Sequence, residues 1–444
     1  MTEALFATLP SGWETKRLDK VATVHARIGW KALTAAEYQP TGYAFLSTPN
    51  IKTPNIDFES VNYISKFRFD ESPDLKLQNE DVLLAKDGST LGIVNIVSGL
   101  RQEATVNGSI AILRAFGIDP RFLRFVLASS EIQGHIGSVK DGMGVPHLFQ
   151  RDIKRFQLPV PPLAEQRRIA DFLNVETTRI DALLSSQQRL LALLSARRAA
   201  GVVTAVSGGD HSDRLATNLP WLQSLPAHWQ MVRVGLVARM GSGHTPSRSR
   251  PEWWLDCTIP WITTGEVKQV RSDRIEDLHL TREKISELGL ANSSAELCPE
   301  GTVFLCRTAS AGYSGVMGTD MATSQDFVTW TCGPRLNPYY LLWCLRAMRP
   351  DLLGRLAMGS THKTIYVPDL QMLRIPLPPL AEQTEIVESI RRQNREIDVL
   401  ADKVRRQGEL LTERRQALIA AAVTGQFDVS TASGRNVTDG VPKA

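Results

Sequence analysis

Two stretches of this chain place apolar side chains at alternating spacings of four and three residues, the pattern of a coiled-coil seam. Each stretch follows a Pro-Pro pair, at Pro161 and Pro378, and proline is well tolerated in the first turn of a helix. The pattern predicts two long helices that pack antiparallel as a spacer; two separate helices, each capping its own domain, are the alternative. The predicted seam residues are Ile169, Leu173, Ile180, Leu183, Leu190, Leu194, Ile386, Ile390, Ile397, Leu400, Val404 and Leu411, with Glu176, Gln187, Gln393 and Gln407 as polar interruptions.

The rest of the chain contains short β-rich runs such as DVLLAKDG from Asp81 and GTVFLCRT from Gly301. Gly, Pro and Asn separate these runs, which favours sheets with connecting loops. A shorter helix is predicted after Asp119 and another after Asn337, because each residue precedes a proline and an apolar run. Asp and Asn cap helices, and proline suits the first helical position.

An internal repeat organises the whole chain. LPSGWETKRL from Leu9 matches LPAHWQMVRV from Leu225, and LPVPPLAEQRRIADFL from Leu158 matches IPLPPLAEQTEIVESI from Ile375. A single duplication predicts an α+β fold in which two mixed α/β domains are joined by two long antiparallel coiled-coil helices with pseudo-twofold symmetry. The predicted segments are a domain over 1–157, a helical spacer over 158–208, a linker over 209–224, a domain over 225–374, a helical spacer over 375–428 and a disordered tail over 429–444.

Composition narrows the possible functions only a little. The formal net charge is +4, so a DNA-binding surface would depend on where the charges lie. The five cysteines include no Cys-x-x-Cys pair, and the histidines have no metal-ligand spacing, so no metal site is predicted. No apolar run reaches the roughly 18 residues that a membrane span needs, and no signal peptide is evident. We therefore expect a cytoplasmic protein with reduced thiols and no membrane partner.

The duplicated PLPPLAEQ element followed by a long helix resembles the specificity subunits of Type I restriction–modification enzymes. GSGHTPSRSRPEWW and IPWITTGEVK, within 241–268, are similar to the opening of a target-recognition domain in that family. In the first half RIGWKALTAAEY and FLSTPNIK stand in place of the fuller motif. The resemblance covers about residues 9–428.

This resemblance implies a DNA-reading role without catalysis. Each domain would recognise one part of a bipartite target in double-stranded DNA, and the helices would act as a spacer. The helices would also dock two DNA-adenine methyltransferase subunits, which in turn recruit ATP-driven translocating nuclease subunits. No cofactor is expected in this chain.

A self-sufficient nuclease or methyltransferase is the alternative function. Asp256, Glu266 and Lys268 follow the order of a restriction-type nuclease centre, which needs two carboxylates on a metal. The repeat opposes this, because Asn50 stands where the second half has Glu266. The Asn337 segment is similar to the Asn-Pro-Pro-Tyr loop of adenine methyltransferases but lacks the second proline. We therefore expect that the isolated chain neither cuts nor methylates DNA.

The candidate DNA contacts are basic residues in matched loops. Lys86 and Arg307 each end a strand before a Gly/Ser-rich loop, and loops at strand ends commonly carry binding residues. A second pair of loops lies at 141–150 and 358–367. Arginine pairs with guanine and lysine more often with phosphate. The full candidate set is Lys52, Lys86, His147, Arg248, Arg250, Lys268, Arg307, His362 and Lys363.

Overall fold

The computed structural model describes residues 6, 9–26, 33–52, 54–140, 146–357 and 363–431. These residues form two compact units. Unit 1 consists of Met1–Gln188 together with Arg405–Ala444, and unit 2 consists of Arg189–Val404. None of the helices in the described ranges combines the length and apolar character that a membrane span requires.

Unit 1 is built on two small sheets. Its strands are β1 (Glu14–Arg17), β2 (Ala22–His25), β3 (Tyr43–Leu46), β4 (Asn62–Ile64), β5 (Val82–Ala85), β6 (Val94–Ile96), β7 (Ala104–Val106), β8 (Ile110–Ala115) and β9 (Gln157–Val160). The sheet orders are β2-β8-β5-β6 and β4-β3-β7, and β1 pairs with β9. Its helices are α1 (Lys66–Asp70), α2 (Pro120–Ala128), α3 (Ser130–Val139), α4 (Gln150–Ile153) and the first part of α5 (Leu163–Val206).

Unit 2 repeats this topology with added strands. Its strands are β10 (Arg214–Leu219), β11 (Leu222–Pro226), β12 (Gln230–Arg233), β13 (Ala238–Ser242), β14 (Ile259–Ile262), β15 (Asp277–Leu278), β16 (Glu283–Ile285), β17 (Val303–Cys306), β18 (Ser314–Met317), β19 (Ala322–Thr323), β20 (Phe327–Cys332) and β21 (Arg374–Leu377). The sheets are β13-β20-β17-β18-β15, β16-β14-β19, β12-β21 and the hairpin β10-β11. The helices are α6 (Val267–Val270), α7 (Glu287–Ala291), α8 (Pro338–Asp351), α9 (Val367–Gln371) and α10 (Leu380–Val423), which ends in unit 1.

The structure adds detail to four of the predicted segments. The predicted linker 209–224 contains most of the β10–β11 hairpin, whose Arg214 side chain donates to the Ser207 and Ser224 carbonyls. Both predicted spacers begin too early, because the residues just before each helix form β9 and β21, paired with β1 and β12. Of the predicted tail, 429–431 form a short 3₁₀ turn, and the remainder lies outside the described residues.

The glutamine of the repeated Ala-Glu-Gln motif joins each long helix to a shorter helix by hydrogen bonds. In unit 1 it joins α5 to α2, and in unit 2 it joins α10 to α8. As predicted, the Asp119 and Asn337 side chains cap α2 and α8 by accepting backbone N–H groups. Buried Gln166 accepts the backbone N–H of Asp119 at 2.7 Å and donates to the Pro161 carbonyl. Buried Gln383 does the same with Asn337 and Pro378, and also donates to the Arg335 carbonyl. This clasp accounts for the glutamine in both copies of the motif.

The two long helices run antiparallel within each unit, which confirms that part of the fold prediction. In unit 1 the Arg415 guanidinium contacts Asp181 at 3.1 Å, and Leu418 of α10 joins the core that contains Leu173 of α5. In unit 2 Leu194 of α5 packs against Ile397 and Ala401 of α10. Arg198 lies 3.6 Å from Asp398 there, the counterpart of the Arg415–Asp181 pair.

The apolar seam is confirmed in part. Ile169, Leu173, Ile180 and Leu194 are buried on α5, as are Ile390, Ile397 and Val404 on α10. Leu183, Leu190 and Leu400 are exposed, so these three assignments were wrong. The less exposed side chains at these points are the adjacent Leu184, Leu191 and Ala401. Adjacent apolar pairs satisfy the heptad in either register, and the partner helix decides which member faces inward.

Candidate nucleic-acid interface

Equivalent strands in the two units end in loops that close through the same backbone hydrogen bond, although the first loop is one residue longer. Loop L1 (residues 86–92) follows β5, and loop L2 (residues 307–312) follows β17. L1 closes through the Gly92 N–H and the Ala85 carbonyl, 2.9 Å apart, and L2 closes through the Gly312 N–H and the Cys306 carbonyl, 2.8 Å apart. The two glycines have φ values of +89° and +86°, a left-handed conformation that favours glycine. The predicted equivalence of these loops is therefore present in the backbone.

Each loop lies beside the second loop of its own unit. In unit 1 Asp87 forms an antiparallel bridge with His147, and in unit 2 Thr308 forms the corresponding bridge with Thr364. The backbone N–H groups of Leu148 and Ile365 donate to the carbonyls of Lys86 and Arg307 at 2.9 and 2.8 Å. The structure thus places L1 and L2 beside the described parts of the second predicted loops, residues 146–150 and 363–367, whereas residues 141–145 and 358–362 of those loops lie outside the described residues.

In unit 1 the predicted contact residues Lys86 and His147 both lie against one acidic side chain. The Lys86 side chain is only 8% exposed, and its ammonium lies 3.2 Å from one oxygen of Asp87. His147 Nδ1 contacts the other oxygen of Asp87, and the imidazole is one-third exposed. DNA binding through these residues would require a phosphate to replace Asp87 as the partner. Asp87 was missed in the sequence because it adjoins Lys86 and is replaced by Thr308 in the other half.

In unit 2 the equivalent position is free of acidic pairing among the described residues. The Arg307 Nε donates to the Gln325 carbonyl at 2.9 Å, and the Gln325 side chain accepts from Thr245 at 2.5 Å. Thr245 belongs to the GHTPSRSR segment, so this segment and L2 share one surface. Burial raises the pKa of the Cys306 thiol, immediately before L2, to about 11, and the thiol therefore stays protonated at neutral pH.

Arg248 and Arg250 are exposed on the GHTPSRSR segment. The Arg248 guanidinium lies 3.9 Å from the ring centre of Trp254 and 2.8 Å from the Glu283 carboxylate. Cation–π stacking holds the guanidinium flat against the ring while its outer edge faces solvent. Arg250 makes a looser pair with Glu252 at 3.7 Å.

Lys52 and Lys268, the remaining matched pair, are exposed. The residues two positions before them, Asn50 and Glu266, are buried. Glu266 accepts the backbone N–H of Arg282 at 2.9 Å and the Gln269 amide at 2.5 Å. Its counterpart Asn50 accepts the Ser47 N–H and donates to the Ser60 carbonyl, both at 2.9 Å. Both side chains therefore brace turns. Lys52 and Lys268, which follow them, remain available to solvent.

These contacts leave the nuclease alternative without support. Glu266 already uses both carboxylate oxygens within the fold. In the ranges that the structure describes, no group of three or more His, Cys, Asp or Glu side chains is placed to hold a metal ion. Lys363 is exposed beside Thr364, whereas His362 lies outside the described residues.

Comparisons with known proteins identify the family of the chain. The family described as the Type I restriction modification DNA specificity domain matches residues 10–189 and 226–403. The chain is 22% identical over 441 residues to the Type I restriction enzyme StySPI specificity subunit of Salmonella potsdam, covering 94% of this chain and 90% of the relative. It is 21% identical over 439 residues to the EcoKI specificity subunit of Escherichia coli K12, with the same two coverages.

Solved structures show the same fold. A chain from work on complex assembly and conformational transition of the type I R-M system matches with a TM-score of 0.70 at 22% identity, over 95% of this chain and all of the other. The HsdS subunit from Thermoanaerobacter tengcongensis matches with a TM-score of 0.53 at 20% identity, over 96% of this chain and all of that one. The chain thus belongs to the family of Type I restriction–modification specificity subunits, and its role is sequence-specific DNA recognition.

Proposed function

We propose that the two units read different parts of one asymmetric, bipartite target in double-stranded DNA. The supporting observation is that L1 and L2 close through the same backbone hydrogen bond and form the same bridge to a second loop, but present different side chains. The first offers Lys86, Asp87 and His147, and the second offers Arg307, Thr308 and Thr364. Base edges are distinguished by donor and acceptor patterns, so different side chains on equivalent loops select different bases.

The proposed DNA contacts divide by chemistry. Arg307, Arg248 and Arg250 are suited to paired hydrogen bonds with a base edge, because a guanidinium presents two parallel donors. Lys52, Lys268 and Lys363 are exposed and suited to phosphates. Lys86 and His147 would reach DNA by exchanging Asp87 for a phosphate, and His362 completes the proposed set. The exposed positions would supply the salt-dependent part of binding.

The chemistry would belong to partner subunits. Two modification subunits would methylate adenine at the target, and translocating restriction subunits would cleave DNA at the expense of ATP. The relatives are named as specificity subunits, which supports a non-catalytic role here. No residue of this chain is proposed to be catalytic, and no cofactor is proposed for it.

Sequencing the methylated bases of a host tests this function. The host would express the modification subunits with this chain, with no specificity chain, or with residues 1–157 exchanged for those of a relative. We expect a two-part motif with the chain and none without it. The exchanged chain should alter one part and keep the other. Alteration of both parts would contradict two independent readers, and the absence of any motif would contradict the proposed function.

A further inference from the structure

The glycine that closes each loop has its carbonyl held by a side chain from a nearby helix. The Gln133 amide of α3 donates to the Gly92 carbonyl at 2.8 Å, and the Arg349 Nε of α8 donates to the Gly312 carbonyl at 2.9 Å. A Cβ on Gly92 would lie 2.4 Å from the Gln133 side chain, and one on Gly312 would lie 2.9 Å from that of Arg349. The end of each loop therefore packs directly on the residue that holds it.

The donor to the glycine carbonyl differs between the two units in its residue type and in its position along the chain. Gln133 lies 41 residues after Gly92, whereas Arg349 lies 37 residues after Gly312, so the repeat does not align the two side chains. One is a neutral amide and the other a guanidinium. Two residues at unmatched positions thus donate to the equivalent glycine carbonyl. We infer that the loop needs a hydrogen-bond donor at this carbonyl, because packing alone would not place one there in both units.

In unit 2 the contact extends as a network of ion pairs. The outer nitrogens of Arg349 bind both oxygens of Asp273 at 2.7 and 2.8 Å. The buried Arg346 also contacts the Asp273 carboxylate, and it donates to the Ser314 carbonyl just beyond L2. Burial lowers the pKa of Arg346 to about 10, which leaves the guanidinium charged at neutral pH.

Asp273 connects this network to a long helix. Its backbone carbonyl accepts from Arg198 of α5 at 2.8 Å and from Arg346 at 3.0 Å. Its φ of +57° is in the left-handed region, and the surrounding arginines offset the cost of that conformation. A continuous set of contacts thus joins α5, through Asp273 and Arg349, to Gly312 at the end of L2. The equivalents of Arg346 and Arg349 by offset from the helix caps, Ala128 and Glu131, cannot build this network in unit 1.

We propose that Gln133 and Arg349 are positioning residues for sequence readout, each fixing the loop of its own unit, and that Asp273 couples L2 to the spacer helix α5. This inference rests on the proposed function. Neither side chain needs to touch DNA, because each acts through a glycine carbonyl on the geometry of the loop. A loop that samples several conformations would still bind phosphate but would discriminate poorly between bases.

The test uses the host methylation assay with the complete complex. The variants are Gln133→Ala, Arg349→Gln and Arg349→Lys, and the control is Arg355→Gln, which removes an exposed ion pair with Asp351 and no loop contact. We expect Gln133→Ala to relax one part of the motif and Arg349→Gln to relax the other. Discrimination against a wrong base in the affected part should fall by about tenfold. Arg355→Gln should leave both parts strict.

The Arg349→Lys variant distinguishes the hydrogen bond that positions L2 from the positive charge that pairs with Asp273. Lysine keeps a positive charge towards Asp273 but cannot donate to Asp273 and Gly312 together as arginine does. We expect Arg349→Lys to restore methylation if Arg349→Gln abolishes it, while the same part of the motif stays relaxed. Strict motifs in every variant, or equal relaxation of both parts, would overturn the positioning role. Absence of a motif with the unaltered chain would instead contradict the proposed function.

Thiol labelling of the purified chain supplies a second readout. Cys306 is buried at the start of L2, and its Sγ contacts the Thr308 carbonyl at 3.2 Å, so opening of L2 exposes it. Cys344 is buried inside α8 and reports unfolding of the unit. We expect Arg349→Gln to raise the labelling rate of Cys306 by about tenfold with Cys344 unchanged, as local opening requires. A parallel rise at both thiols would show that Arg349 merely stabilises the unit.

Discussion

Unit 1 and unit 2 hold equivalent loops with different chemistry. The contact that holds the Gly92 carbonyl of L1 involves no charged group, because the Gln133 amide donates to the carbonyls of Gly92 and Leu127. The L2 contact is ionic and passes through Arg349 to Asp273. Both units combine apolar and ionic contacts where the long helices meet the domains. In unit 1 Phe172 packs against Phe427 and Arg121 pairs with Asp171, and in unit 2 Val387 joins the core while Arg391 pairs with Glu276.

This contrast shows which features the duplication had to keep. The loop-closing hydrogen bond recurs in both units, and so do the glutamine bonds to the helix cap and to the proline carbonyl. The side chains that hold those loops differ, so several chemistries satisfy one backbone requirement. Salt should weaken the ion pairs of unit 2 more than the apolar contacts of unit 1, because salt screens charges. These ion pairs are Arg391 with Glu276 and Arg274 with Asp402.

The largest effect is expected from removing the glutamine clasps. Gln383→Ala takes away three hydrogen bonds of a buried side chain and Gln166→Ala takes away two. Each should destabilise its own unit by about 2–4 kcal/mol, because buried backbone groups lose their partners and a cavity remains. Gln383→Ala should be the more severe change.

Urea unfolding followed by tryptophan fluorescence measures this difference. Seven of the nine tryptophans lie in unit 2, namely Trp221, Trp229, Trp253, Trp254, Trp261, Trp330 and Trp343. The exposed Gln371→Ala serves as control and should leave the midpoint unchanged. Equal midpoints for Gln383→Ala and the unaltered chain would mean that the clasp contributes nothing to unit 2.

An intermediate effect is expected on DNA binding at L1 and L2. Arg307→Ala should cost about 1–3 kcal/mol at one base position, the usual value of a direct base contact. Lys86→Ala should cost less, because Lys86 must first leave Asp87. Titration of target duplexes with the assembled complex at two salt concentrations measures both losses.

Asp87→Asn is the matched test of that explanation. Removing the negative charge should free Lys86 and His147 and strengthen binding at low salt by severalfold. The gain should shrink as salt is added, since phosphate contacts are screened. If Asp87→Asn weakened binding, Asp87 would be a direct contact with DNA rather than a competitor for the cations.

The smallest effect is expected when salt is added and the opening of each loop is followed by the labelling rate of a thiol beside it. Raising sodium chloride from 0.05 to about 0.5 M should accelerate labelling of Cys306 by two- to fivefold, because the Arg349–Asp273 pair weakens. Ala85→Cys places a thiol at the equivalent site of unit 1, just before L1. Its labelling should change by less than about twofold over the same range. Equal responses at the two thiols would refute the ionic difference between the units.

Local features of the fold were predictable because neighbouring residues decide them. Asp119-Pro120 and Asn337-Pro338 specify helix starts through a side chain that bonds two residues ahead. The long helices follow from the spacing of their apolar residues. The hairpin within 209–224 was not predicted, because the polar composition of this segment does not reveal that Arg214 bonds across to β11.

The site was predictable only as a set of loops. Lys86 and Arg307 were chosen because each ends a strand, and the structure places each beside the second loop of its unit. The pairing of Lys86 with Asp87 and the contact between Arg349 and Gly312 depend on how separate segments pack. The matched spacing of the repeat could not reveal Gln133 and Arg349, because they occupy unmatched positions.

The sequence by itself determined the duplication, the two long helices, their caps and the DNA-specificity family, since each is specified by local pattern or motif. The tertiary structure alone decided which member of each adjacent apolar pair faces the partner helix, which predicted contact residues are paired with acids and which side chains hold L1 and L2. Those outcomes depend on contacts between residues far apart in the chain. Gly312 and Arg349 meet only because β17, L2 and α8 pack into one core, and no periodicity in the sequence encodes that distance.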